Sequence, residues 1–114
     1  MNISIKTEDD VLVISFGEEA NLDSSNTDEF REEIARHIEG KNKIVINLAN
    51  VAFLDSSGLG TLIAIWRNAS SNSGDLRLTG IRPAVRTIFE ITRLHRVFEI
   101  YETEEEAIAS FHSI

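Results

Sequence analysis

Between Lys43 and Leu48 nearly every residue is apolar, the pattern of a strand covered on both faces of its sheet. A strand with one wet face would alternate instead. This run therefore calls for a sheet with helical cover, built around a central strand. The segment after it is equally constrained. Beyond a short loop comes the string Val51-Ala52-Phe53-Leu54-Asp55-Ser56-Ser57-Gly58-Leu59-Gly60, and Leu59, Leu62, Ile63 and Trp66 then recur at helical spacing. Asp55-Ser56-Ser57-Gly58 thus stands where a strand hands over to a helix. The first N–H groups of a helix have no partner within it, and Gly58 and Gly60 allow the backbone to be approached closely. A hydroxyl at this point is exposed. A phosphate placed on it would meet free N–H donors and the positive end of a helix dipole.

The rest of the chain supplies the sheet and its cover. Ile3 and Ile5 fall on one side of an alternating stretch from Asn2 to Lys6, Thr7 to Asp10 is a polar turn, and Val11 to Phe16 is a second strand. Together they predict an opening hairpin. Asp23 through Thr27 offers several N-caps for a first helix, along which Phe30, Ile34 and Ile38 make one apolar face and which Gly40 ends. The second helix spans about Ser57 to Ser70, and Leu76 to Thr79 is a fourth strand. Pro83 suits the first turn of a third helix that buries Val85, Ile88 and Phe89. Val97 to Tyr101 is a fifth strand, and Thr103-Glu104-Glu105-Glu106 forms a capping box for a last helix with Ile108 and Phe111 inward. The order β-β-α-β-α-β-α-β-α predicts a single α/β domain with a mostly parallel central sheet. One echo stands out: Leu-Asp-Ser-Ser occurs at 22–25 and again at 54–57, each time just before a helix.

Several function classes are excluded by simple totals. The 114 residues make one domain with a real core, and with no cysteine there is no thiolate metal site, thiol nucleophile or disulfide. A net charge of -8 argues against direct nucleic-acid binding and favours partners with a basic face. No run reaches membrane-span length and no basic-then-apolar leader opens the chain, so a cytoplasmic protein without membrane insertion is expected.

The candidate chemistry centres on Ser56. Its plainest explanation is that Asp55-Ser56-Ser57 caps a helix, a task worth about 1 kcal/mol. Against that stand Gly58 and Gly60 in the first helical turn, each costing up to about 1 kcal/mol relative to alanine. A cap alone gains nothing from them, whereas a surface met by another protein or a phosphate does. The twin at Asp23-Ser24-Ser25 lacks the glycines and reads as a cap. A serine hydrolase would need a base near Ser56, yet His37, His95 and His112 have no evident route to it, and Leu54 stands where a nucleophile elbow wants glycine. A phospho-aspartate receiver centred on Asp55 would need an acidic pair at a strand end, and Asp9-Asp10 precedes its strand instead. There is no P-loop, no metal-spaced His/Asp cluster and no dinucleotide fingerprint, so no cofactor is expected. Arg82, Arg86 and Arg93 fall near one helical face, with Arg96 beyond; a solvated or salt-bridged face explains them more simply than an anionic partner.

Phe53-Leu54-Asp55-Ser56-Ser57-Gly58-Leu59-Gly60 resembles the corresponding string of the anti-sigma-factor antagonists, the bacterial STAS-domain family. The likeness extends over nearly all of 1–114 and includes Leu22-Asp23, the strand Ile44 to Leu48, Pro83-Ala84-Val85, Phe89, Leu94 and Phe98. It implies a small helix-and-sheet fold and a non-enzymatic binding protein governed by phosphorylation. Ser56 matches the family's phosphoacceptor, and Asp23 its contact residue before the first helix. Asp55, Ser57, Gly58, Leu59 and Gly60 complete the implied partner-binding set. The implied partners are an anti-sigma factor that is also a serine kinase of the histidine-kinase-like ATPase type, and a PP2C-type phosphatase. The run from Gly17 to Asp23 is longer than the family's usual glycine, acid, Leu-Asp sequence. The alternative of another class is a STAS structural or accessory subunit without a phosphoswitch, in a stressosome-like scaffold or a lipid-transport assembly.

Overall fold

The computed structural model describes residues 1–112. Its main sheet has five strands in the order β1-β2-β4-β6-β7, formed by β1 (Ile3–Glu8), β2 (Val11–Phe16), β4 (Lys43–Asn47), β6 (Asp75–Thr79) and β7 (Glu99–Tyr101). β1 and β2 form the expected antiparallel hairpin, and every other pairing in this sheet is parallel. Four α-helices cover it: α1 (Thr27–Ile38), α2 (Ser56–Ser71), α3 (Pro83–Ile91) and α4 (Glu104–Ser110).

β4 lies at the centre of the sheet, as its composition demands. Ile44 and Ile46 point into the larger core, which contains Leu12, Ile14, Phe30, Ile34, Leu62, Leu76, Leu78, Val85 and Phe89. Val45 points the other way, into a smaller cluster with Val11, Val13, Ala107 and Ile108 under α4. Aromatic side chains in the core join elements. Phe16 stacks on Phe30 at 5.5 Å, while Phe98 meets Phe89 at 5.8 Å and Trp66 at 6.3 Å, both edge to face. α4 carries the expected capping box between Thr103 and Glu106, and Phe111 lies under the Arg77 guanidinium, 4.1 Å from the ring centre.

The structure adds two strands that periodicity does not reveal. β3 (Ala20–Leu22) and β5 (Val51–Leu54) pair in parallel as a separate small sheet, with Leu22 opposite Leu54 and a register shift between Ala20 and Asn21. The loops expected before the first helix and after β4 are therefore structured. The long Gly17 to Asp23 run is absorbed into β3, Ala20 N–H donating to the Asn50 carbonyl at 2.9 Å, while Glu19 meets Arg82 at 2.8 Å. The last strand is shorter than the Val97 to Tyr101 expected. The amides of Val97 and Phe98 both donate to the Leu94 carbonyl, finishing a 3-10 turn at Leu94–Arg96. α3 stops at Ile91, so Arg93, with φ 63°, stands beyond it and not on a shared helical face with Arg82 and Arg86.

Candidate functional site

The twin Leu-Asp-Ser-Ser strings are neighbours in space. β3 and β5 run side by side in the same direction, and both strings leave the small sheet at the same end. Leu22 and Leu54 anchor them in the core, at 0% and 1% exposure. The Asp55 N–H donates to the Leu22 carbonyl at 3.1 Å. The Asp55 carboxylate then serves two elements. Its Oδ1 accepts from the Gly58 N–H at 3.0 Å, capping α2, and its Oδ2 accepts from the Ser24 N–H at 3.2 Å. One side chain thus holds the start of α2 to the loop that precedes α1.

Ser56 is the first residue of α2 and is exposed. Its hydroxyl has no hydrogen-bond partner among the described residues. Asp55, not Ser56, caps the helix, so the plain capping explanation accounts for the aspartate and leaves the serine without a structural task. Ser57 is half-buried; its carbonyl accepts from the Thr61 hydroxyl at 3.0 Å, and Arg31 of α1 donates to that same hydroxyl at 3.1 Å.

The two glycines divide the explanation between them. Gly58 is buried, and a Cβ there would stand 2.5 Å from the Leu22 carbonyl oxygen. The close approach it permits comes from β3 of the same chain. Leu59 likewise belongs to the core, at 9% exposure. Gly60 is exposed, and a Cβ there would meet nothing within 4 Å. Internal packing therefore requires glycine at 58 and leaves glycine at 60 free for an approach from outside.

Asp23 is half-buried beside this helix start. Its Oδ1 accepts from both the hydroxyl and the N–H of Ser25, and these bonds hold its carboxyl below the usual carboxylate range. Sequence reasoning missed two participants. The Ser24 amide is one, since nothing in a sequence reports a backbone contact 31 residues away. Phe53 is the other: it stays 48% exposed on β5, three residues ahead of Ser56. Val51, which period-two alternation places on the same face, is buried, so alternation gave no sign that Phe53 turns outward.

The remaining candidates sit elsewhere. His112 pairs with Asp10 at 2.9 Å, His95 faces the Phe89 carbonyl at 3.3 Å, and His37 is exposed on α1. Among the described residues no cluster of His, Cys, Asp or Glu is arranged to hold a metal, and no helix is long and apolar enough to cross a membrane.

Comparison with known families decides the lineage, since the family model for the STAS domain matches residues 2–107. The chain belongs to the STAS domain family. Over 106 residues this STAS chain is 30% identical to the anti-sigma-B factor antagonist of Staphylococcus epidermidis, covering 92% of the chain and 96% of that relative. Two solved structures show the same fold at 26% identity. The anti-sigma factor antagonist SpoIIAA in its unphosphorylated form superposes with a TM-score of 0.80, covering 98% of this chain and 97% of that one. The phosphorylated form of the Bacillus cell fate determinant SpoIIAA gives 0.71, with 95% and 97% covered. The STAS architecture expected from the element order, an α/β fold with an opening hairpin and an otherwise parallel sheet, is the one observed.

Proposed function

We propose that the chain, taken over 1–114 as one STAS domain, is an anti-sigma-factor antagonist switched by phosphorylation of Ser56. The observation that carries this reading is the state of the Ser56 hydroxyl: exposed, unbonded, and mounted on the first residue of a helix whose cap is supplied by its neighbour. In this reading the unphosphorylated chain binds an anti-sigma factor that is also a histidine-kinase-like serine kinase, and so frees a sigma factor in the cytoplasm. The kinase transfers phosphate to Ser56 and loses its grip, and a PP2C-type phosphatase restores the binding form. The chain contributes a nucleophilic hydroxyl and a docking surface, and no catalytic group. Asp23, Asp55, Ser57 and Gly60 make up that surface, with Phe53 at its edge, while buried Gly58 and Leu59 support it from within.

The physics favours a switch that acts at the interface. A phosphoserine adds a charge of about -1.5 to -2 at neutral pH. At a helix N-terminus such a charge is locally welcome, and the Ser56 and Ser57 amides have no acceptor among the described residues. The carboxylates of Asp23 and Asp55 lie close by and oppose it, so the domain itself gains or loses little. A partner seated on this surface must instead strip the phosphate of water and accommodate its bulk. Losing about 2.7 kcal/mol weakens a complex roughly 100-fold, well within what one buried unpaired charge costs.

The test is to recover the chain from its own cells, with the kinases present, and to map phosphate by mass spectrometry. Phosphate on Ser56, absent from Ser56→Ala, is the expected result. A chain bound in a large assembly and never modified at Ser56 would sink the reading and favour the scaffold or accessory role.

A further inference from the structure

The two Leu-Asp-Ser-Ser strings share several structural features, although Ser56 opens α2 and Ser24 lies in the turn before α1. In each, the leucine is buried, at 0% for Leu22 and 1% for Leu54, and the aspartate carboxylate is engaged by backbone N–H groups. In each, the first serine is exposed, Ser24 in one string and Ser56 in the other. The second serines differ: the Ser25 hydroxyl donates to Asp23, whereas at half-buried Ser57 only the carbonyl is engaged, by the Thr61 hydroxyl. Because β3 and β5 are parallel with Leu22 opposite Leu54, Ser24 and Ser56 emerge from the same end of the small sheet. Asp55 bonds the two strings directly through the Ser24 N–H at 3.2 Å.

The sequence suggests that the first string merely caps α1; in the structure only the Asp23 carbonyl serves that helix start, accepting from the Asn26 and Thr27 N–H groups, and no serine does. The N-cap of α1 is Asn26, and no side chain caps that helix; Asn26 Oδ1 instead accepts from the Asp23 N–H at 3.1 Å. The Ser24 hydroxyl has no partner among the described residues.

From this juxtaposition we infer that Ser24 is a second phosphate acceptor, served by the kinase that modifies Ser56. The inference rests on the reading of Ser56 as an acceptor. The Ser24 oxygen attacks the γ-phosphorus of ATP; an O–P bond forms as the bond from that phosphorus to the ADP oxygen breaks. ADP leaves, and the hydroxyl proton passes to a base on the kinase. The two serines are not equivalent. Ser56 stands at the positive end of α2, while Ser24 follows Asp23 in the chain and donates its N–H to the Asp55 carboxylate. A phosphate on either serine meets the Asp23 and Asp55 carboxylates, but only one on Ser56 also meets the unpaired amides and positive end of a helix. Ser56 is therefore filled first, and Ser24 follows to a lower occupancy.

Trypsin separates the two sites, because Ser24 falls in the peptide 7–31 and Ser56 in the peptide 44–67. The full chain and its Ser24→Ala and Ser56→Ala variants are recovered from the chain's own cells, and both peptides are fragmented to locate phosphate. The expected result is phosphate on Ser56 together with a smaller fraction on Ser24. Ser24→Ala loses only the 7–31 signal and Ser56→Ala only the 44–67 signal. Circular dichroism checks that Ser24→Ala folds like the parent. Phosphate on Ser56 with none on 7–31, or with the 7–31 phosphate located at Ser15, Ser25 or a threonine, overturns the Ser24 assignment and leaves the Ser56 reading intact. Phosphate on neither peptide removes both.

Discussion

Asp55 does more for the site than the serine it precedes. By accepting from Gly58 and from Ser24 it caps α2 and ties down the Asp23 loop with a single carboxylate, which leaves Ser56 free. Removing an N-cap side chain costs about 0.5–2 kcal/mol, and here a second amide loses its acceptor too. Asp55→Ala should therefore lower the unfolding free energy in urea by about 1–2 kcal/mol; an unchanged midpoint would show that the carboxylate carries no load. Ser56→Asp should leave the melting temperature within a few degrees and weaken partner binding roughly 100-fold, read by titration calorimetry against the proposed kinase partner. Two carboxylates also contribute to the loss of stability in acid. Asp23 is held below its ordinary range by the Ser25 hydroxyl and N–H, and Asp10 by Lys43 first and His112 second. A carboxyl whose pKa is lowered by folding stabilises the native state above its unfolded value, near 4, and that contribution disappears as pH falls through the lower folded value. Thermal melts should decline below about pH 4, and Ser25→Ala should flatten that decline. An acid limb identical in Ser25→Ala and the parent would contradict the assignment.

At the scale of the element, α2 has a glycine for the fold and a glycine for the surface. Gly58→Ala drives a methyl to 2.5 Å from the Leu22 carbonyl, a backbone group that cannot swing aside. It should destabilise by about 1–3 kcal/mol, as overpacking does. Gly60→Ala meets open space and should stabilise by up to about 1 kcal/mol through helix propensity, while reducing partner affinity if that surface is used. Paired urea titrations of the two variants check the contrast; equal effects would refute it. The same helix shows what a sequence can and cannot disclose. Its apolar spacing, the double-faced burial of β4, the capping box at Thr103 and the exposed junction at Ser56 are local patterns, and each was legible. β3 and β5 were not. They are three and four residues long and pair across about thirty residues of chain, so no local turn or alternation marks them. For the same reason the two similar strings could be noticed in the sequence without any sign that they touch. The fold's demand for Gly58 was also hidden, because its cause is the Leu22 backbone and not a neighbour in sequence.

At the scale of the whole molecule, the chain separates its packed core from the proposed switch site. The central strands are clamped between the larger core under α1, α2 and α3 and the smaller one under α4, while the two serine-bearing strings project from a separate two-stranded sheet. A charge added at position 56 therefore reaches the Asp23 loop through Asp55 before it reaches any strand of the main sheet. The most direct test is a comparison of amide NMR spectra for the chain carrying serine or phosphoserine at position 56, the latter installed during translation. Shifts confined to residues 22–26 and 53–61, with β4 and β6 unmoved, are predicted. Displaced resonances throughout Lys43–Asn47 and Asp75–Thr79 would mean that the phosphate remodels the core, and would contradict a switch that works at the surface.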